Sequence, residues 1–83
     1  MVMSMKKFIT EIQGKEVMTT DGKRLGAIDN IVVDTVTGEL QHLLVIPDPE
    51  IDPRAYRRDY QERLVLPFSK IKAVRDVVVI APV

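Results

Sequence analysis

The sequence predicts an all-β fold, a small antiparallel barrel of five to six strands with one long charged loop or short helix. Three observations carry this. The stretch from Thr20 to Ile46 holds β-like runs rich in Ile, Val and Leu, the residues that fit a pleated surface. Glycine turns punctuate those runs at Asp21-Gly22 and at Val36-Thr37-Gly38. Finally, 83 residues make one domain that buries about 60–65% of its unfolded surface, so a short meander must curl on itself or pack against something.

The elements follow in chain order. Residues 1–7 show no period and are expected as a flexible tail, with the folded domain spanning 8–83. Phe8, Ile9 and Ile12 form one apolar face of a short helical turn, which Gly14 stops. Lys15–Met18 begins the first strand. Asp21-Gly22 is read as a two-residue type I′ turn, whose central residues both need positive φ. The second strand is Arg24–Asp34, and Gly26 within it marks a bulge or sharp bend of the kind that lets a small barrel close. Gly38 takes the left-handed position of a bulged hairpin leading into the third strand, Glu39–Ile46. Leu40, His42, Leu44 and Ile46 share one face of that strand; Leu43 and Val45 share the other. Apolar residues on both faces predict a strand covered twice.

Pro47 to Glu62 changes character, with three prolines, charges of both signs and almost no core material. A loop this long in a small domain is commonly functional. Pro53 is expected at the first position of a short helix capped by Asp52, and Tyr56 and Tyr60 have the spacing of one helical face. Arg63–Pro67, Ile71–Val74 and Val77–Ile80 complete the strand set. Ser69 begins a single turn, and Pro82 stops the last ladder.

Composition narrows the chemistry. There is no cysteine, hence no disulfide and no thiolate zinc site. Twelve basic and twelve acidic residues balance, which argues against a sequence-independent nucleic-acid binder. No segment has the length of a membrane span, and the start MVMSMKKFITEIQG lacks an apolar signal region, so the expected location is cytoplasmic.

Each candidate site also has a plainer reading. His42, the sole histidine, lies mid-strand without a local orienting partner and reads as a strand histidine in the core or at an interface rather than a catalytic base. Asp48, Glu50, Asp52 and Asp59 fall at calcium-loop spacing, but Pro53 stands where that loop needs glycine. Arg54, Arg57, Arg58 and Arg63, interleaved with Tyr56 and Tyr60, have the composition of a stacking surface for single-stranded RNA; five acidic residues in the segment cancel its field. Protein contact ranks above RNA, because Tyr and Arg are enriched among interface hot spots. No catalytic set, metal site or cofactor site is predicted.

The run GKEV, then DGKRLGAIDNIVVDTVTGELQHLLV, then RLVLPFSKIKAVRDVVVI, resembles the PRC-barrel domain family. The landmarks are Gly14-Lys15, Asp21-Gly22, Leu25-Gly26, Asp34, Thr37-Gly38, Leu66-Pro67 and Ile71. The resemblance implies a small β-barrel that binds other proteins and has no shared catalytic set. The length resembles the archaeal single-domain group, whose members include cell-division factors that associate with SepF, the membrane anchor of the FtsZ ring, and with one another. It therefore implies an adaptor that binds SepF or another PRC-barrel protein, located at the division site through that membrane-anchored partner. The alternative is an RNA-binding or ribosome-maturation module resembling the PRC-barrel of RimM. On the adaptor reading, Arg54, Tyr56, Arg57 and Tyr60 contact the partner, and a homodimer forms through His42, Leu43 and Val45.

Overall fold

A computed structural model describes residues 2–82, with side chains from residue 7 onward. Helix α1 (Val2–Ile12) is followed by strands β1 (Glu16–Thr19), β2 (Arg24–Val33), β3 (Leu40–Pro47), β4 (Leu64–Pro67), β5 (Ile71–Val74) and β6 (Val77–Ile80). Two single 3₁₀ turns, Pro53–Ala55 and Phe68–Lys70, precede β4 and β5 respectively. All six expected strands are present.

The N-terminal segment, the sheet topology and the first turn differ from the expectation. The helix starts before the short turn predicted at Phe8–Ile12, and the backbone of residues 2–7 is helical where a tail was expected. Met and Lys are good helix formers, and no Gly or Pro interrupts the run before Gly14, although the segment lacks an early apolar period. Met1 of that tail and Val83 of the domain lie outside the described residues.

The second difference concerns topology. One six-stranded sheet runs in the order β4-β3-β2-β1-β6-β5. The pairs β1–β2, β2–β3, β3–β4 and β5–β6 are antiparallel, but β1 and β6 pair in parallel, from Glu16 opposite Val77 to Thr19 opposite Ile80. Hairpin turns dictate antiparallel neighbours. The first and last strands share no turn, so nothing local fixes their direction. Among the described residues the sheet keeps two ends, β4 and β5, so the barrel is curled but open.

The concave side holds the core. Val17, Leu25, Ile28, Ile31, Leu43, Val45, Leu64, Leu66, Val78 and Ile80 are buried there, joined by Ile12 from α1. Phe8 of the helix meets Phe68 edge-on, ring centroids 6.3 Å apart at 76°, so α1 closes one mouth of the curl. Gly14, at φ 88°, ends the helix, and its N–H donates to the Ile28 carbonyl at 2.8 Å.

The turns explain the register. Asp21-Gly22 is not a type I′ pair, because Gly22 has positive φ and Asp21 does not. The Gly22 N–H donates to the Thr19 carbonyl at 2.9 Å, and the Thr19 N–H to the Lys23 carbonyl at 2.8 Å, which makes a three-residue turn with glycine at the left-handed place. This geometry lets the buried Thr19 hydroxyl donate to the Asp21 carboxylate. The second turn has Gly38 left-handed, as predicted, and Asp34 organises it by accepting from the N–H groups of Val36 and Thr37 at 2.8 and 3.2 Å. Gly26 interrupts β2 at a register shift opposite β1, as the sequence predicted.

Candidate functional site

The segment between β3 and β4 is charged, and its turns are held both by its own carboxylates and by contacts with the sheet. Pro47 and Pro49 stiffen its entry, and the Asp48 N–H donates to the Leu25 carbonyl at 2.9 Å. Ile51 is the one apolar residue of the entry and is buried as a peg in the core. Asp52 caps the 3₁₀ turn as the sequence predicted: its carboxylate accepts from the Arg54 N–H at 3.0 Å, with Pro53 at the first turn position. The turn ends at Ala55, so Tyr56 and Tyr60 do not share a helical face.

From Arg57 the chain reverses in a hairpin. The Val65 N–H donates to the Arg57 carbonyl at 2.9 Å, and Arg58 bridges Leu64. The excursion thus covers the outer edge of β4, where unpaired backbone groups would otherwise template aggregation. Glu62, at φ 63°, is the left-handed residue of this tip.

An ionic clamp holds the hairpin to the sheet. The Arg63 guanidinium donates to Asp59 at 2.8 Å and to Asp29 of β2 at 2.7 Å. Arg63 and Asp59 keep only 14% and 15% of their side-chain surface exposed. Asp59 also accepts from the N–H groups of Gln61 and Arg63 at 3.0 and 2.9 Å. Partial desolvation opposes its ionisation. The Arg63 N–H and guanidinium and the Gln61 N–H outweigh that and hold the carboxyl below its ordinary range. Hydrogen bonds to Asp29 and Asp59 conversely raise Arg63. Asp52, through Arg54, and Asp21, through Thr19, are likewise lowered.

The linkage has a definite sign. A carboxyl whose folded value lies below its unfolded value stabilises the fold above the unfolded value, and that stability is lost as pH falls through the folded one. Urea midpoints should therefore fall on acidification below about pH 4, the unfolded aspartate range. Asp59→Asn should flatten that fall, at the expense of a lower midpoint near neutrality.

The predicted site residues separate into distinct roles. Tyr56 is half-buried against the core, with Lys23 Nζ 5.7 Å from its ring centroid, so its ring is structural. Arg54 turns back onto Asp52 at 3.1 Å, and Arg58 pairs with Glu62 at 2.6 Å. Tyr60 is 88% exposed at the hairpin tip, its hydroxyl accepting from Gln61 Nε2 at 3.3 Å. Arg57 is exposed with its carbonyl held in the hairpin. Asp48, Asp52 and Asp59 each accept hydrogen bonds within a separate turn, so the acidic spacing serves the backbone rather than one cation.

The interface expected at His42, Leu43 and Val45 divides by strand alternation. Leu43 and Val45 have no exposed surface and face Leu66 and Leu64 inside the curl, so association can bury nothing more of them. His42 lies on the other face, opposite Val32 and Pro67, and is half-buried. The outer face of β3 is completed by Leu44 and by Ile46, which is 53% exposed.

The landmarks of the resemblance occupy these structural joints: Gly14 ends α1, Gly22 and Gly38 make the hairpins, and Leu66-Pro67 closes β4. The PRC-barrel domain model matches residues 5–83. The chain belongs to the PRC-barrel family. PRC-barrel domains are typically protein-interaction modules and are generally non-catalytic. No curated protein matches the chain. Among the described residues no helix of this PRC-barrel is long and apolar enough to cross a membrane. Asp29 is the clamp residue that sequence reasoning missed, since its partner lies 34 positions away. Asp59 and Arg63, four apart, carried a local signal.

Proposed function

We propose that this PRC-barrel is a non-enzymatic adaptor that docks a protein partner through the hairpin tip at Arg57–Arg63. The supporting observation is Tyr60. It is a large aromatic residue left 88% exposed on a tip that Asp59, Arg63 and Asp29 hold rigidly to the sheet. Presenting an anchor already ordered lowers the entropic cost of binding, and tyrosine is a frequent hot spot. Arg57, exposed on the arm of the same hairpin, steers an acidic partner surface. Tyr56 and Arg54 shape the loop from behind.

The resemblance to archaeal single-domain PRC-barrels makes SepF the first partner to test, with a second PRC-barrel protein next. Recruitment to the division site would then follow from that membrane-anchored partner. Titration calorimetry with purified SepF decides it: Tyr60→Ala should weaken binding about 10- to 30-fold while leaving the melting temperature unchanged. Arg57→Ala should weaken it less, and mainly at low salt. Unchanged affinity in both variants removes the tip from the function. Three of the four arginines near the tip already pair with carboxylates of the same chain, which weakens the RNA reading. A steep salt-dependent affinity for single-stranded RNA would nevertheless favour it over the adaptor.

A further inference from the structure

The convex side of the sheet carries a second surface, distinct from the hairpin tip that bears Tyr60. The register places Leu44 opposite Val65 on β4 and Ile46 opposite Ala27 on β2, with Val32 beside His42. Ile46 is 53% exposed and Val32 36%. Ile46 forms one wall of a notch of about 220 Å³ whose other walls include Pro47, Asp48, Pro49, Glu16 and Arg24. Glu16 and Arg24 pair across 3.4 Å at its rim, both about half-exposed.

We propose that a second copy of this chain covers this face in an isologous dimer, with Ile46 of each copy seated in the notch of the other. An isologous contact requires knob and hole on one surface, and Ile46 stands at the wall of the notch itself, so the two Ile46 side chains interdigitate about the two-fold axis. A dry cavity of about 150 Å³ takes a benzene, so this notch has room for an aliphatic side chain. The rim is self-complementary in charge, because a two-fold axis lets Glu16 of one copy face Arg24 of the other. A net charge of zero adds no long-range repulsion between copies. The outer side of β1–β4 covers about 400 Å² in projection at roughly 3.3 Å per residue and 4.8 Å per strand. That is below the ~800 Å² per partner of a standard interface and suits a weaker, concentration-dependent dimer.

The free sheet edge at β5 is a poorer seat for a second copy. A symmetric β5–β5 pair would bring Lys72 close to its own counterpart, the kind of charge that guards edges.

Sedimentation equilibrium on the full chain across micromolar concentrations tests the proposal. The wild type should sediment at twice the chain mass, and Ile46→Asp should weaken association about 30-fold or more with an unchanged circular-dichroism spectrum. Glu16→Arg should also weaken it, and Glu16→Arg with Arg24→Glu should restore it. A wild type that stays at one chain mass overturns the dimer. A folded Ile46→Asp chain with wild-type association overturns this face. Should Ile46→Asp fail to fold, Val32→Lys and the charge swap read the same surface. Tyr60→Ala should leave self-association untouched, so a failed partner titration and a failed dimer remain separate results.

Discussion

Gly26→Ala should remove a large part of this domain's stability and lower its urea midpoint far below that of Gly22→Ala. A Cβ built on Gly26 stands 1.9 Å from the Ile46 carbonyl oxygen and 2.9 Å from its carbon. Both are backbone atoms of the neighbouring strand, so no side-chain rotation relieves the clash. The strands would have to part at the place where Gly26 pairs Val17 on one side and Pro47 on the other. The residue also sits at φ 150°, which L side chains rarely adopt. Backbone strain of this kind costs of order 1–3 kcal/mol, and overpacking against a fixed wall about as much again. A domain of this size holds about 4–12 kcal/mol in total. Gly22→Ala is the control. It too has positive φ, but nothing lies within 4 Å of the added carbon, so its loss should stay near 1 kcal/mol. Urea unfolding of the two variants measures the difference. Equal midpoints would mean that the close approach of β2 and β3 carries no energetic weight.

That glycine shows what a single chain can and cannot disclose. Its presence inside a β-like run was a legible sign of irregularity, because glycine is a poor strand former with no side chain to pack. The identity of the atom it accommodates was not, since Ile46 is twenty positions away and belongs to another strand. The same division recurs elsewhere. Asp52-Pro53 and Thr37-Gly38 encode their turns in adjacent residues, and both appear where expected. The parallel pairing of β1 with β6 joins residues about sixty positions apart through no common turn. The clamp of Arg63 on Asp29 is of the same kind. In the charged excursion, composition pointed to arginines and tyrosines as one group. Folding divides them according to whether a carboxylate or the core lies within reach: Arg54 and Tyr56 are engaged, whereas Tyr60 is left standing. Alternation holds from His42 to Ile46, but a register shift before His42 turns Leu40 toward the core instead of onto the face of His42, and periodicity alone does not say which face is concave. Leu43 and Val45 were therefore placed at an interface when they belong to the core.

Leu43→Ala and Leu44→Ala should separate those two faces sharply. Leu43 has no exposed surface and is fixed between Ile31 of β2 and Leu66 of β4. Truncating a buried leucine removes its transfer free energy and leaves a cavity that a close-packed neighbourhood cannot fill. Such changes cost about 2–5 kcal/mol. Here that would be a large part of the total, and the urea midpoint should drop accordingly at every protein concentration. Leu44, one residue along, points outward between Asn30 and Val65 and is half-buried. Its truncation removes partial burial without enclosing a void, so the monomer should lose about 1 kcal/mol or less. If the convex face is covered by a second copy, the Leu44→Ala deficit should grow with protein concentration, because the wild-type midpoint then rises by mass action and the variant's rises less. A Leu43→Ala chain of wild-type stability that fails only to self-associate would return Leu43 to the interface and reverse the assignment of the two faces.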